Sequence, residues 1–255
     1  MAVVEYTTEG HVALITINRP EARNAVNAEV ANGIEESIDR LEADDSLWLG
    51  ILTGVPPVFC SGADLKEINA GRGASLNTER GGFAGITRRE RTKPIIAAVD
   101  GPALAGGTEI TLACDLVVAS TNATFGVPEV KRSLVAAGGA LFRLPRKLPA
   151  NLAMELILTG DPVDAARAHQ FGYVNHLCQP GEALDKAKEL ARRIEANAPV
   201  SVRTSRRVVL AAATADEDTG WHLSEEGMAT AMGSADFSEG LTAFIEKRPP
   251  KWTGR

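Results

Sequence analysis

The chain has 255 residues, with 27 Lys and Arg against 33 Asp and Glu for a net charge of −6. At 44% apolar and 24% charged it can bury one large core, of roughly 11,000 Å² folded surface, without a disulfide or metal staple. The acidic balance argues against a nucleic-acid binder, and no window nears the roughly 18 apolar residues of a membrane helix.

The first nine residues carry Glu5 and lack the basic-then-apolar plan of a leader. A strand is expected over 11–18, apolar and β-branched, closed by Arg19-Pro20. Val30, Ile34, Ile38 and Leu41 recur at helical steps and predict an amphipathic helix. A second strand is expected over 47–53, then a turn region over 54–62. Asp64 is placed to cap a short helix, with Glu67 three residues on completing a capping-box-like pair. The Gly-rich, charged stretch 70–91 reads as a mobile segment. Strands follow over 95–99 and 116–119, with a Gly-containing turn and a helix to Ala113 between them. Strand, turn and helix thus occur twice at about 45-residue spacing, the pattern of repeated ββα units in a wound parallel sheet. From Leu148 the chain turns mostly helical, with helices expected around 184–194, 202–213, 222–231 and 237–245. A soft boundary is expected near residue 190.

Three distant cysteines (Cys60, Cys114, Cys178) suggest a reducing compartment, hence a cytoplasmic protein, and the four histidines show no metal-ligand spacing. The His residues, and Trp221 with its neighbour His222, read as packing or surface residues, the latter two in the C-terminal helical core. The basic run Arg88, Arg89, Arg91 and Lys93 reads as a solvated face.

Two strand-to-helix turns can carry chemistry. They are Phe59-Cys-Ser-Gly-Ala63-Asp and Gly101-Pro-Ala-Leu-Ala-Gly106-Gly-Thr-Glu109. Helix N-termini expose free N–H groups, and two such ends facing one another can hold a developing oxyanion. Neither turn is a phosphate-binding loop, and no nucleophile elbow is present. Glu109 and Glu129 each stand among apolar neighbours, where a carboxyl's pKa is raised toward the range of acid/base work. The alternative for the turns is ordinary Gly-assisted geometry, and for the two Glu residues a solvated surface position.

Taken together, these segments resemble the enoyl-CoA hydratase/isomerase (crotonase) superfamily over nearly the whole chain. The resemblance runs through Ile17-Asn-Arg-Pro20, Asn24-Ala25, the two turns, Phe125-Gly-Val-Pro-Glu129, Leu158-Thr-Gly160, Phe171-Gly-Tyr-Val174 and 239–248. It implies an α/β spiral of ββα units (1–190) holding an acyl-CoA site, and a helical region (191–255) for subunit packing and site closure. It implies a homotrimer or a hexamer, and no cofactor beyond the coenzyme A carried by the substrate. By motif position the N–H groups of Ala63 and Gly106 would form the oxyanion hole, with Glu109 and Glu129 as the catalytic carboxylates. Substrate contacts would fall on Arg23, Ala25, Ser61, Gly62, Asp64, Leu65, Gly107 and Pro128. Phe244 and Lys247 would reach the CoA nucleotide of an adjacent subunit.

The implied activity is hydration of a 2-enoyl-CoA. A double-bond isomerase on the same scaffold needs only one acid/base group, and an RNA-binding relative would need more than Arg203, Arg206 and Arg207 to offer. After Glu129 the usual Pro-Gly turn is replaced by Ala136-Ala137, and an apolar pair by Lys131-Arg132. That turn shapes the acyl pocket, so a branched, polar or carnitine-like acyl group is the alternative substrate.

Overall fold

The computed structural model describes residues 2–255. Strands β1 (Val4–Glu9) and β2 (Val12–Ile17) form an antiparallel hairpin, followed by helix α1 (Ala28–Ala43) and strand β3 (Leu49–Gly54). Asn27 caps α1 through its side chain, and Val30, Ile34, Ile38 and Leu41 form the buried stripe. Helix α2 (Leu65–Asn69) leads to two short strands, β4 (Asn77–Thr78) and β5 (Gly82–Phe83). Then come β6 (Ile95–Val99), β7 (Ala103–Leu104), α3 (Gly106–Ala113), β8 (Leu116–Ser120) and β9 (Thr124–Gly126). The rest is α4 (Ala140–Lys147), α5 (Ala150–Thr159), β10 (Val163–Asp164), α6 (Ala165–Gln170), β11 (His176–Cys178), α7 (Ala183–Glu195), α8 (Pro199–Ala212), α9 (Glu217–Met232) and α10 (Ala235–Glu246).

One sheet has the order β1-β2-β3-β6-β8-β11, parallel after its first hairpin. A smaller sheet, β10-β9-β7, lies beside it. The successive units β6-β7-α3 and β8-β9 each give one strand to each sheet, while the spacing of about 45 residues read from the sequence separates β3 from β6. The central strands are apolar on both faces because both are covered. Ala13, Ile15 and Ile17 of β2 pack with α1, while Val12 turns to the opposite face, where Ala187 and Ala191 of α7 close the layer. The boundary expected near residue 190 therefore falls inside a helix that belongs to the sheet core. The surface of 12745 Å² exceeds the scaling value of roughly 11,000 Å². The helices α8–α10 account for this direction of departure, since they leave large apolar side chains in solvent.

Several local expectations change. Asp64 caps α2 by accepting from the Lys66 N–H, but Glu67 pairs with Arg72 instead of closing a capping box. Residues 70–91 are anchored: Arg80 and Arg89 both grip Asp39, Thr78 bonds Glu35 at 2.8 Å, and Ala84 and Ile86 are buried. Trp221 is 64% exposed, so it lies outside any core. The basic run is not a solvated face either. Arg91 is 2% exposed in its ion pair with Asp115, and Lys93 is buried. Only Arg88 of the four lies open on a cleft wall.

The Lys93 ammonium donates to the carbonyls of Leu41 and Asp44, both at 2.7 Å, and so satisfies the orphan acceptors at the end of α1. Lys93→Met keeps the stem and removes the donor. It is expected to destabilise the fold by about 1–3 kcal/mol, the cost of buried carbonyls left without a partner. Urea unfolding checks this; an unchanged midpoint would show that water reaches those carbonyls.

Candidate active site

A cleft of about 1190 Å³ opens between the 61–68 turn, the start of α3 and the 128–138 segment. Its floor is knitted by backbone pairing. Val26 N–H donates to Gly62, Asp64 N–H to Val26 and Ser61 N–H to Arg23, so 23–26 lies alongside 61–64. Asn24 is fully buried: its amide donates to the carbonyls of Val55 and Val58 at 2.9 and 2.6 Å, and its oxygen accepts from Arg19 N–H. Arg19 also pairs with Asp64 at 2.7 Å. Burial alone would raise the Asp64 carboxyl, but that ion pair and the Lys66 N–H hold it below its ordinary range.

Two backbone donors meet in this floor. A side-chain carbon on Gly62, which has φ +94°, would stand 2.9 Å from the Gly106 nitrogen, so the turn carrying Ala63 abuts the first turn of α3. Ala105 precedes that helix with φ 53° and ψ −126°, a conformation costly for a residue with a Cβ, held by its N–H bond to Gly126. The N–H groups of Ala63 and Gly106 find no acceptor among the described residues. They are two free donors side by side on the floor of a cleft.

Glu109 and Glu129 enter the same cleft from different elements. Glu109 stands on α3, whose residues 106–112 are all buried. Burial pushes its carboxyl up to about 7, and the nearby Glu129 adds to the rise. Its Oε1 accepts from Ala140 N–H at 3.1 Å. Glu129 stands in a 3-10 turn, Pro128–Arg132, and burial raises its pKa as well. Its Oε2 is buried with no hydrogen-bond partner in the protein.

Comparison with known proteins gives the family. A family model described as enoyl-CoA hydratase/isomerase matches residues 7–255. The chain belongs to this family, the crotonase superfamily. An enoyl-CoA hydratase of known structure from Mycobacterium tuberculosis H37Rv shares 46% identity and a TM-score of 0.96, covering 100% of both chains. The mevalonyl-coenzyme A hydratase of Aspergillus fumigatus is 39% identical over 246 residues, 95% of this chain and 91% of that protein. The carnitinyl-CoA dehydratase of Proteus mirabilis is 36% identical over 255 residues, 98% of this chain and 97% of that one.

Of the positions that the crotonase resemblance singles out, Arg23, Ala25, Ser61, Ala63, Asp64, Leu65, Gly106, Glu109, Pro128 and Glu129 line the cleft. Gly62 and Gly107 lie behind its wall; a Cβ on Gly107 would overlap the Cys60 carbonyl. Phe244 and Lys247 are not in the cleft: Phe244 is 84% exposed on α10, and Lys247 ends that helix in a left-handed turn. Cys60 is buried, with its thiol pushed up to about 12, and supplies no thiolate. The sequence reading did not find Phe83, whose ring fills the space a side chain on Gly106 would need. Nor did it find Arg19, which orients Asp64. Among the described residues no cluster could hold a metal ion, and no helix is long and apolar enough to cross a membrane.

Proposed function

We propose that this crotonase-family hydro-lyase is an enoyl-CoA hydratase that adds water across the 2,3 double bond of a 2-enoyl-CoA. The observation that carries the reading is the pairing of two raised carboxyls with two free backbone donors in one cleft. Water attack at C3 moves charge onto the thioester oxygen. The N–H groups of Ala63 and Gly106 bind that enolate, each donor worth on the order of 3 kcal/mol. Glu109, ionised, takes the proton of the attacking water, and Glu129, protonated, delivers a proton to C2. A 3-enoyl isomerase needs only one of these carboxyls, so the pair favours the hydratase. Arg23 and Ala25 lie where the CoA arm would run, and Lys247 is assigned to the CoA nucleotide of a neighbouring copy.

A second reading, a hydratase or dehydratase of a substituted acyl-CoA, is favoured by the departure at Lys131-Arg132 and Ala136-Ala137. It is also supported by the mevalonyl- and carnitinyl-CoA enzymes among the relatives. Rates over crotonyl, long-chain, 3-methyl-branched and crotonobetainyl thioesters test both readings. Activity on crotonyl-CoA no faster than buffer would end the first. We further propose a homotrimer or hexamer, supported by the large apolar side chains of Trp221, Met228, Leu241, Phe244 and Ile245, all exposed on α9 and α10. A monomer by light scattering at micromolar concentration would exclude it.

The pH dependence follows from Glu109. Its raised pKa means that it gains a proton as pH falls through about 7, so the base is lost there rather than near the ordinary carboxylate range. The acid limb of kcat/KM for crotonyl-CoA is therefore expected near neutrality, with a second limb as Glu129 ionises. Both midpoints belong to the coupled pair. A profile flat down to about pH 5 would remove Glu109 as the base.

A further inference from the structure

Arg143 takes no step in the mechanism above, yet its guanidinium contacts two segments that wall the cleft. One of its nitrogens donates to the Thr87 carbonyl at 2.6 Å and the other to the Gly138 carbonyl at 3.3 Å. Thr87 ends the anchored 77–87 segment, and Gly138 opens the turn that feeds α4. The end of that same turn holds Glu109, through the Ala140 N–H at 3.1 Å.

The two glycines show how tightly these groups are set. A side chain on Gly138 would come within 2.5 Å of Glu109 Oε2, and one on Gly139, which has φ +120°, would overlap the Arg143 guanidinium. Carboxylate and guanidinium therefore press on adjacent residues of one turn. Among the described residues no acid lies in ion-pair range of Arg143, so its charge is not spent on a surface partner.

We propose that Arg143 is a positioning residue for Glu109: it ties the Gly138–Gly139 turn to the 77–87 segment, so that the Ala140 N–H following the turn holds the carboxylate at the reacting end of the cleft. The proposal rests on the assignment of Glu109 as the base. Two charged groups act on Glu109 in opposite senses. Glu129 faces Glu109 from the 3-10 turn and opposes its ionisation, while Arg143 faces it from α4 and favours it. Arg146, Arg91 and Cys114 act on Arg143 itself, and Arg132 acts on Glu129. With Arg143 removed, the turn loses its tie to Thr87 and Glu109 loses its favourable cation. A shift of about 1 Å in a catalytic group costs on the order of 10²-fold in rate.

The test compares Arg143→Met with Arg143→Lys, each checked for folding by thermal melting. For Arg143→Met, kcat on crotonyl-CoA should fall by about 10–10²-fold with KM little changed, and the acid limb should move up. Arg143→Lys keeps the charge but not the planar fork whose two nitrogens reach the Thr87 and Gly138 carbonyls, so kcat should still fall while the acid limb stays near the wild-type position. A folded Arg143→Met with wild-type kcat and pH profile overturns the proposal, as does a change confined to KM. If Arg143→Met does not fold, Arg143→Lys carries the test, and a folded Arg143→Lys with wild-type kcat overturns the proposal. Glu109 is also titrated without substrate, by its carboxyl infrared band, identified by its loss in Glu109→Gln. An unmoved midpoint in Arg143→Met overturns the role of Arg143. A moved midpoint in a protein whose wild type is inert on every thioester overturns only the hydratase reading.

Discussion

Glu109→Gln is expected to lower the rate of crotonyl-CoA hydration by about 10²–10⁴-fold, the usual cost of losing one general acid or base. Glutamine keeps the shape and can still accept from the Ala140 N–H, so the turn over residues 138–140 should stay in place. What it cannot do is take a proton from water. Glu129→Gln should cost a similar factor by a different route, because it deletes the donor to C2. The two variants separate on exchange of the C2 proton in deuterated buffer. Glu109→Gln should retain slow exchange through Glu129, and Glu129→Gln should lose it together with hydration. The double variant should be barely slower than the slower single one, since both groups serve one transition state. Acyl-CoA binding should survive in all three, because the oxyanion donors are backbone groups of Ala63 and Gly106. Full hydration by Glu109→Gln would remove it from the chemistry, and with it the pairing on which the proposed function stands.

How much of this was legible beforehand depends on the range of the interaction. The strand over 95–99 and the stripe Val30, Ile34, Ile38 and Leu41 could be read because burial writes a local period into the sequence. The capping of α2 by Asp64 is a contact between near neighbours and was also readable. The fate of Glu67 was not, since a competing arginine five residues away outbid the cap. The basic run 88–93 misled for the same reason at longer range. Its partners, Asp39, Asp115 and the last carbonyls of α1, are between 24 and 52 residues distant in sequence. A charge run shows its charge, not its partners. In the cleft, Glu109 and Glu129 stood out as carboxylates in apolar company. Phe83 did not, because only the fold brings it to Gly106, and Arg143 did not, because its partner the Thr87 carbonyl is 56 residues away.

Asp115→Ala is expected to give the largest loss of stability, about 3–5 kcal/mol, because it strands buried charge. Asp115 joins α3 to β8 and is the acceptor for three donors. Its Oδ2 takes Arg91 at 2.6 Å and the Ile95 N–H at 2.8 Å, and its Oδ1 takes Arg206 Nε at 2.8 Å. The side chains of Arg91 and Arg206 are 2% and 14% exposed, so neither can turn to bulk water when the carboxylate goes. Both keep carbonyl partners: Arg91 bonds Ala113 and Lys93, and Arg206 bonds Arg91. Those contacts satisfy hydrogen bonds but do not neutralise two adjacent cations. The position also has a mechanical consequence. Arg206 belongs to α8, so Asp115 is a tie between the C-terminal helices and the edge of β6. Asp115→Ala should therefore speed amide exchange in α8 more than in α1, besides lowering the denaturation midpoint. Arg206→Met, which removes one cation and leaves the Arg91–Asp115 pair intact, should cost distinctly less. In the double variant Asp115→Ala with Arg206→Met, relief of the repulsion should recover part of the loss, so the two effects should not add. Strict additivity, or an Asp115→Ala protein as stable as the wild type, would show that Arg91 and Arg206 do not depend on this carboxylate.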